Sequence, residues 1–167
     1  MTLLALNLQN SFLSEKGSLY MGEKAETLKI RVMDFLSKFS GKKIFVREIH
    51  GKEDTIFMSE KTHSIANSYD CEIHENLRKF ADLKDDKTYY DALYNTEIET
   101  LIKKQNTKDI TVIGLETHTS VMFTVNSLCN RGYNVSVIEP CVMSREDYLH
   151  GCAITIMRHY LNVRING

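Results

Sequence analysis

The sequence has no surplus of either charge, no pair of cysteines at C-x-x-C spacing, no long apolar run, no internal repeat and a single proline, Pro140. Each lack excludes something. With 21 Lys and Arg against 22 Asp and Glu, the chain offers no broad electrostatic attraction for nucleic acid or an anionic membrane, so a small molecule or a protein is the expected partner. The four cysteines, Cys71, Cys129, Cys141 and Cys152, do not form a metal or redox pair, and 167 residues bury enough surface to fold without disulfides. Free thiols in a reducing compartment are expected. The opening apolar stretch meets Asn7, Gln9 and Asn10 too early for a signal segment, and no run reaches membrane-spanning length. The expectation is a cytoplasmic protein with one domain over residues 1–167.

The sequence does contain a regular alternation of strand and helix signals. Leu3 to Leu8 reads as a buried strand, Glu23 to Ser40 as an amphipathic helix closed by Gly41, and Lys43 to Glu48 as a second strand. Gly51 to Asp86 is polar and weakly periodic, which predicts a covering loop with one short helix at Asn76 to Ala81. Thr96 and Glu99 predict a capped helix, Asp109 to Gly114 a third strand, and Val121 to Cys129 a helix closed by Arg131 and Gly132. Tyr133 to Ile138 is a fourth strand. Ser144 and Asp147 cap a last helix, and Asn162 to Ile165 returns as a strand. This pattern predicts a three-layer α/β/α fold of Rossmann-like type around a mostly parallel sheet.

Ligands in such folds bind beyond the carboxyl ends of the strands. That rule selects Asn7 through Phe12, and the turn Leu115, Glu116, Thr117, His118, Thr119 and Ser120. A hydroxyl in the first helical turn meets unsatisfied N–H groups, a setting for an oxyanion hole; an ordinary helix cap is the alternative. Phe12 and Tyr90 are candidates for an apolar pocket wall or for the core. Cys141, beside Pro140, is a conceivable substitute thiol, but free cysteines are more often structural.

These residues resemble the isochorismatase-like cysteine hydrolases, particularly the nicotinamidase branch. The family's opening Asp-x-Gln-Asn-Asp-Phe is matched by Asn7-Leu-Gln9-Asn10-Ser-Phe12, with Asn7 at the aspartate position. Its lysine motif is matched from Lys87 through Tyr90 and Ala92 to Thr96, and its nucleophile motif by Gly114, Thr117, Ser120 and Val121, with Ser120 at the cysteine position. The resemblance implies the family fold and self-association into a homo-oligomer. It also implies a divalent-metal site: Glu48 and His50 stand for the family's Asp-x-His, and His63 for a later histidine. Two imidazoles and a carboxylate suit zinc, iron or manganese, and solvated loop residues are the alternative reading.

For activity the resemblance points the other way. The family's thiolate attacks a carbonyl while the aspartate moves the proton and the lysine sets the charge state. Asn7 is no base, and Ser120 is a weaker nucleophile than a thiolate. The expectation is a family member with impaired chemistry that works by binding a small molecule or a protein. The rival is an active amide hydrolase using Ser120 with Lys87, as Ser-Lys hydrolases do, or another thiol.

Overall fold

The computed structural model describes residues 1–58 and 60–167. Strand β1 (Thr2–Leu6) is apolar apart from Thr2 and buried at every position, the mark of a strand covered on both faces. Its side chains alternate between two cores. Leu4 and Leu6 join Ile44, Val46 and Val112 on one face; Leu3 and Ala5 join Phe45 and Ile113 on the other. Helix α2 (Glu23–Lys38) covers the second face with Leu28, Val32 and Leu36. Helices α4 (Ile98–Lys103), α5 (Met122–Asn130) and α6 (Asp147–Tyr160) cover the first with Ile98, Ile102, Val125, Leu128 and Met157.

The sheet also contains β2 (Lys42–Glu48), β3 (Leu83–Lys87), β4 (Asp109–Leu115), β5 (Asn134–Met143) and β6 (Arg164–Asn166). The order is β3-β2-β1-β4-β5-β6 and every pairing between these strands is parallel. This is the three-layer α/β/α architecture expected from the sequence. Short helical turns α1 (Asn10–Leu13) and α3 (Glu75–Arg78) lie in the connections.

Several local expectations need correction. The first strand ends at Leu6 because Asn7 turns into the left-handed region (φ 54°), which asparagine tolerates. The polar middle is not only a loop with a helix: it contains β3, whose sequence Leu-Lys-Asp-Asp-Lys hides an edge strand behind charged side chains. The strand at Asp109 is therefore the fourth. Gly41 does not cap α2, which closes through Phe39 N–H donating to Phe35 O (3.1 Å); it passes so close to Met1 O that a Cβ would lie 2.4 Å away. Ser144 does not cap α6, whose N-cap is Glu146. Glu99 does not reach back in a capping box but pairs with Lys103 (2.9 Å) and Arg131 (3.2 Å).

Candidate functional site

Four strand ends converge on one buried cluster. Asn7 follows β1, Glu48 ends β2, Lys87 ends β3, and Ser120 lies in the wide helical turn Thr117–Val121 after β4. Glu48 and Lys87 are register partners on adjacent parallel strands, so their side chains leave the sheet on the same face. On the other side β4 approaches β1 closely at Gly114 (φ 117°), where a Cβ would fall 2.0 Å from Leu6 O. Only glycine fits there, and it brings the Ser120 turn against Asn7.

Asn7, Lys87 and Ser120 lie together, each no more than 2% exposed. Ser120 Oγ accepts from Lys87 Nζ (3.0 Å) and Asn7 Nδ2 (3.1 Å) and donates to Glu48 Oε2 (3.2 Å). Asn7 Nδ2 also donates to Glu48 Oε2 (2.7 Å), and Lys87 Nζ forms an ion pair with the same oxygen. Glu48, assigned from sequence only to a metal set, thus supplies a carboxylate to the cluster where Asn7 has none. Burial alone would push its carboxyl up; the Lys87 ammonium and the hydrogen bonds from His50, His63 and Lys87 outweigh burial and hold it well below 4.5. With Nδ2 committed to Glu48 and Ser120, Asn7 Oδ1 is buried without a partner among the described residues.

The other Glu48 oxygen faces two imidazoles. His50 Nε2 lies 3.1 Å and His63 Nε2 2.9 Å from Oε1. The remaining ring nitrogens also face acceptors, His50 Nδ1 on Asp54 Oδ2 (3.1 Å) and His63 Nδ1 on Lys61 O (2.8 Å). A neutral imidazole has one donor, and a cation between Nε2 and the carboxylate would complete this arrangement. The ligand atoms of Glu48, His50 and His63 lie within 4.8 Å of one another. Asp54 and Lys61 O orient the rings with Nε2 inward, as outer partners of metal-binding histidines do. The residues fit a divalent ion. For His63, burial lowers the imidazole pKa, but the Glu48 hydrogen bond and the Lys61 carbonyl outweigh it and the net shift is upward.

The remaining expected site residues separate. Tyr90 lines two cavities, of about 430 Å³ with His50, Thr88 and Tyr89, and about 400 Å³ with Glu60, His118, Thr119 and Arg145. Its hydroxyl donates to Glu60 and its ring stacks on Phe123. Phe12 is buried edge-on to His63 (5.8 Å between ring centroids). Leu115 packs into the core beside α2, Thr117 Oγ1 is bonded to His150 Nδ1 (2.9 Å), and Glu116 is clamped by Arg145 through Nε (3.0 Å) and Nη2 (2.8 Å). The Glu116 carboxylate is thus committed to Arg145. Sequence reasoning placed Gln9 inside the selected opening segment but gave it no role of its own; its side chain accepts from Glu48 N–H (2.7 Å) and donates to Glu48 O (2.9 Å) and Cys71 O (2.8 Å).

Cys141 is excluded as a substitute thiol. It lies in the core beside α2, donates to Arg31 O (3.6 Å), and burial pushes its thiol up to about 11. Iodoacetamide at pH 8 is expected to alkylate it at least about a hundredfold more slowly than a free cysteine of ordinary pKa near 8.5. Rapid modification, read by mass spectrometry of native protein, would contradict this placement.

The isochorismatase domain model matches residues 1–166. In fold, the chain is similar to nicotinamidase PncA from Bacillus subtilis, with a TM-score of 0.90 and 20% identity over 99% of this chain and 98% of that one. It is similar also to the pyrazinamidase of Pyrococcus horikoshii solved in complex with zinc, with a TM-score of 0.88 and 18% identity over 98% and 97% of the two chains. Among curated proteins, it is 28% identical over 79 residues to the uncharacterised isochorismatase family protein YaaI of Bacillus subtilis strain 168; the match spans 47% of this chain and 44% of that protein. Motif order, fold and domain match agree, and the chain belongs to the isochorismatase family.

Proposed function

We propose that this family member binds a small molecule in the cavities at Tyr90, beside the buried Ser120 cluster, without cleaving it. The carrying observation is the complete engagement of Ser120 Oγ, with one donated and two accepted hydrogen bonds. A nucleophile needs a free lone pair and a base for its proton. Here the lone pairs face Asn7 and Lys87, and the proton faces Glu48, a carboxylate held well below its ordinary range and therefore a weak base. Asn7 Oδ1 supports the binding half of the reading. An acceptor buried without a partner is unfavourable, and a ligand N–H would satisfy it.

Glu48, His50 and His63 would hold a divalent ion, which when bound supplies Lewis acidity and an anchor for a lone pair on the ligand. The exposed Tyr148, Ile156 and Tyr160 on α6 support self-association. Among the described residues no helix is long and apolar enough to cross a membrane, and the free cysteines support a reducing cytoplasm.

The second reading, hydrolysis by Ser120 with Lys87, has in its favour the 3.0 Å contact between them. Nicotinamide and pyrazinamide, the amides implied by the names of similar structures, provide the test. Calorimetry on metal-free and zinc-loaded protein is expected to detect binding, with ammonia release no faster than that of the Ser120→Ala variant. Turnover that disappears in both Ser120→Ala and Lys87→Met would establish the hydrolase instead.

A further inference from the structure

We propose that cation binding at His50 and His63 and the charge on Lys87 are antagonistically coupled, because both centres draw on the single carboxylate of Glu48. The inference rests on the divalent-ion site described above and adds a linkage to it. Glu48 Oε1 faces the two imidazoles at 3.1 and 2.9 Å, while Oε2 takes the Lys87 ammonium and the Asn7 and Ser120 side chains. Among the described residues, Glu48 is the one carboxylate paired with Lys87. Asn7 carries no charge to share the load, and Asp54 reaches His50 only from its Nδ1 side.

The backbone that carries this carboxylate is fixed, so both centres are served from one anchor point. Gln9 holds the Glu48 backbone from both its N–H and its carbonyl, and β2 is hydrogen-bonded between β1 and β3. One negative charge therefore lies between an ammonium and the place of a dication, in a buried setting where charges are weakly screened. Each positive charge weakens the hold of the other, and linkage requires the effect to be mutual. Coupling of this kind typically changes affinity by about 5- to 150-fold.

Zinc affinity of the full chain, measured by competition with a chelator of known affinity, tests the linkage. Lys87→Met is expected to bind zinc at least about tenfold more tightly than wild type, while Lys87→Arg, which keeps the charge, stays near wild type. Should Lys87→Met fail to fold, Lys87→Gln, which keeps a hydrogen-bond donor for Glu48 but no charge, is expected to give the same sign. Ser120→Ala removes an uncharged partner and is expected to stay within about threefold of wild type. Unchanged or weaker binding in Lys87→Met, or in Lys87→Gln where that is the variant that folds, overturns the coupling and leaves the metal site standing. Absence of zinc binding that His50→Ala with His63→Ala removes overturns the metal site itself, and the coupling with it.

Discussion

Replacing Lys87 with methionine is expected to lower the free energy of unfolding by about 3–5 kcal/mol, the usual cost of leaving one member of a buried ion pair uncompensated. Against a total stability of about 5–15 kcal/mol, this is severe. Lys87 and Glu48 are both buried, and without the ammonium Glu48 Oε2 keeps only the Asn7 and Ser120 hydrogen bonds. Urea denaturation measures the loss. Lys87→Met with Glu48→Gln should recover more than half, since it removes the stranded charge as well.

The acid dependence has a definite sign. A carboxyl held below its unfolded value of about 4.5 contributes stability that is present above that pH and lost as pH falls through the folded value. In metal-free protein, the gap between wild type and Lys87→Met should be full at pH 7 and shrink below about pH 4.5. A gap that stays constant into acid would show that Lys87 stabilises by packing rather than by charge.

The triple variant Asn7→Asp, Glu48→Asp, Ser120→Cys is expected to release ammonia from nicotinamide or pyrazinamide about 10²- to 10⁴-fold faster than Ser120→Cys alone, the usual range for adding a positioned acid/base. All three changes are needed. Ser120→Cys supplies a thiol but leaves an amide at position 7. Adding Asn7→Asp alone sets a second carboxylate where Asn7 Nδ2 now lies 2.7 Å from Glu48 Oε2, a separation at which two carboxylates share a proton. Shortening Glu48 by one methylene draws its carboxylate back toward β2 and leaves Lys87 to the new carboxylate at position 7. No gain in the triple variant would mean that the cleft has been remodelled rather than disarmed.

Much of this was legible in the sequence because strand ends are. The apolar runs before Asn7 and Gly114 fix where two chain segments leave the sheet, and the parallel arrangement then brings Asn7 and Ser120 to one edge. The strand ending at Lys87 was not legible. At the sheet edge its side chains alternate with water, and Lys84, Asp85 and Asp86 erase the apolar signal that marks β1. Without that strand, the register pairing of Glu48 with Lys87 is invisible. The double role of Glu48 follows from that register and from the length of one side chain, neither of which residue spacing encodes. The expected helix cap at Ser144 failed because a tertiary partner takes the side chain: Ser144 Oγ is bonded to His118 Nδ1 (2.9 Å). Thr96 stands one residue before the N-cap Glu97, where its Oγ1 donates to Ala92 O (2.6 Å) and accepts from Ile98 N–H (3.4 Å).

The grip of Gln9 on the backbone of Glu48 ties together the choice of residue at positions 7 and 48. With that backbone immobile, residues 7 and 48 can change safely only together. A carboxylate placed at position 7 while Glu48 remains creates a repelling pair, and a shortened residue 48 beside Asn7 leaves the Lys87 ammonium without its counter-charge. Each single change is a step down, so the two positions act as one unit that tolerates only paired substitution.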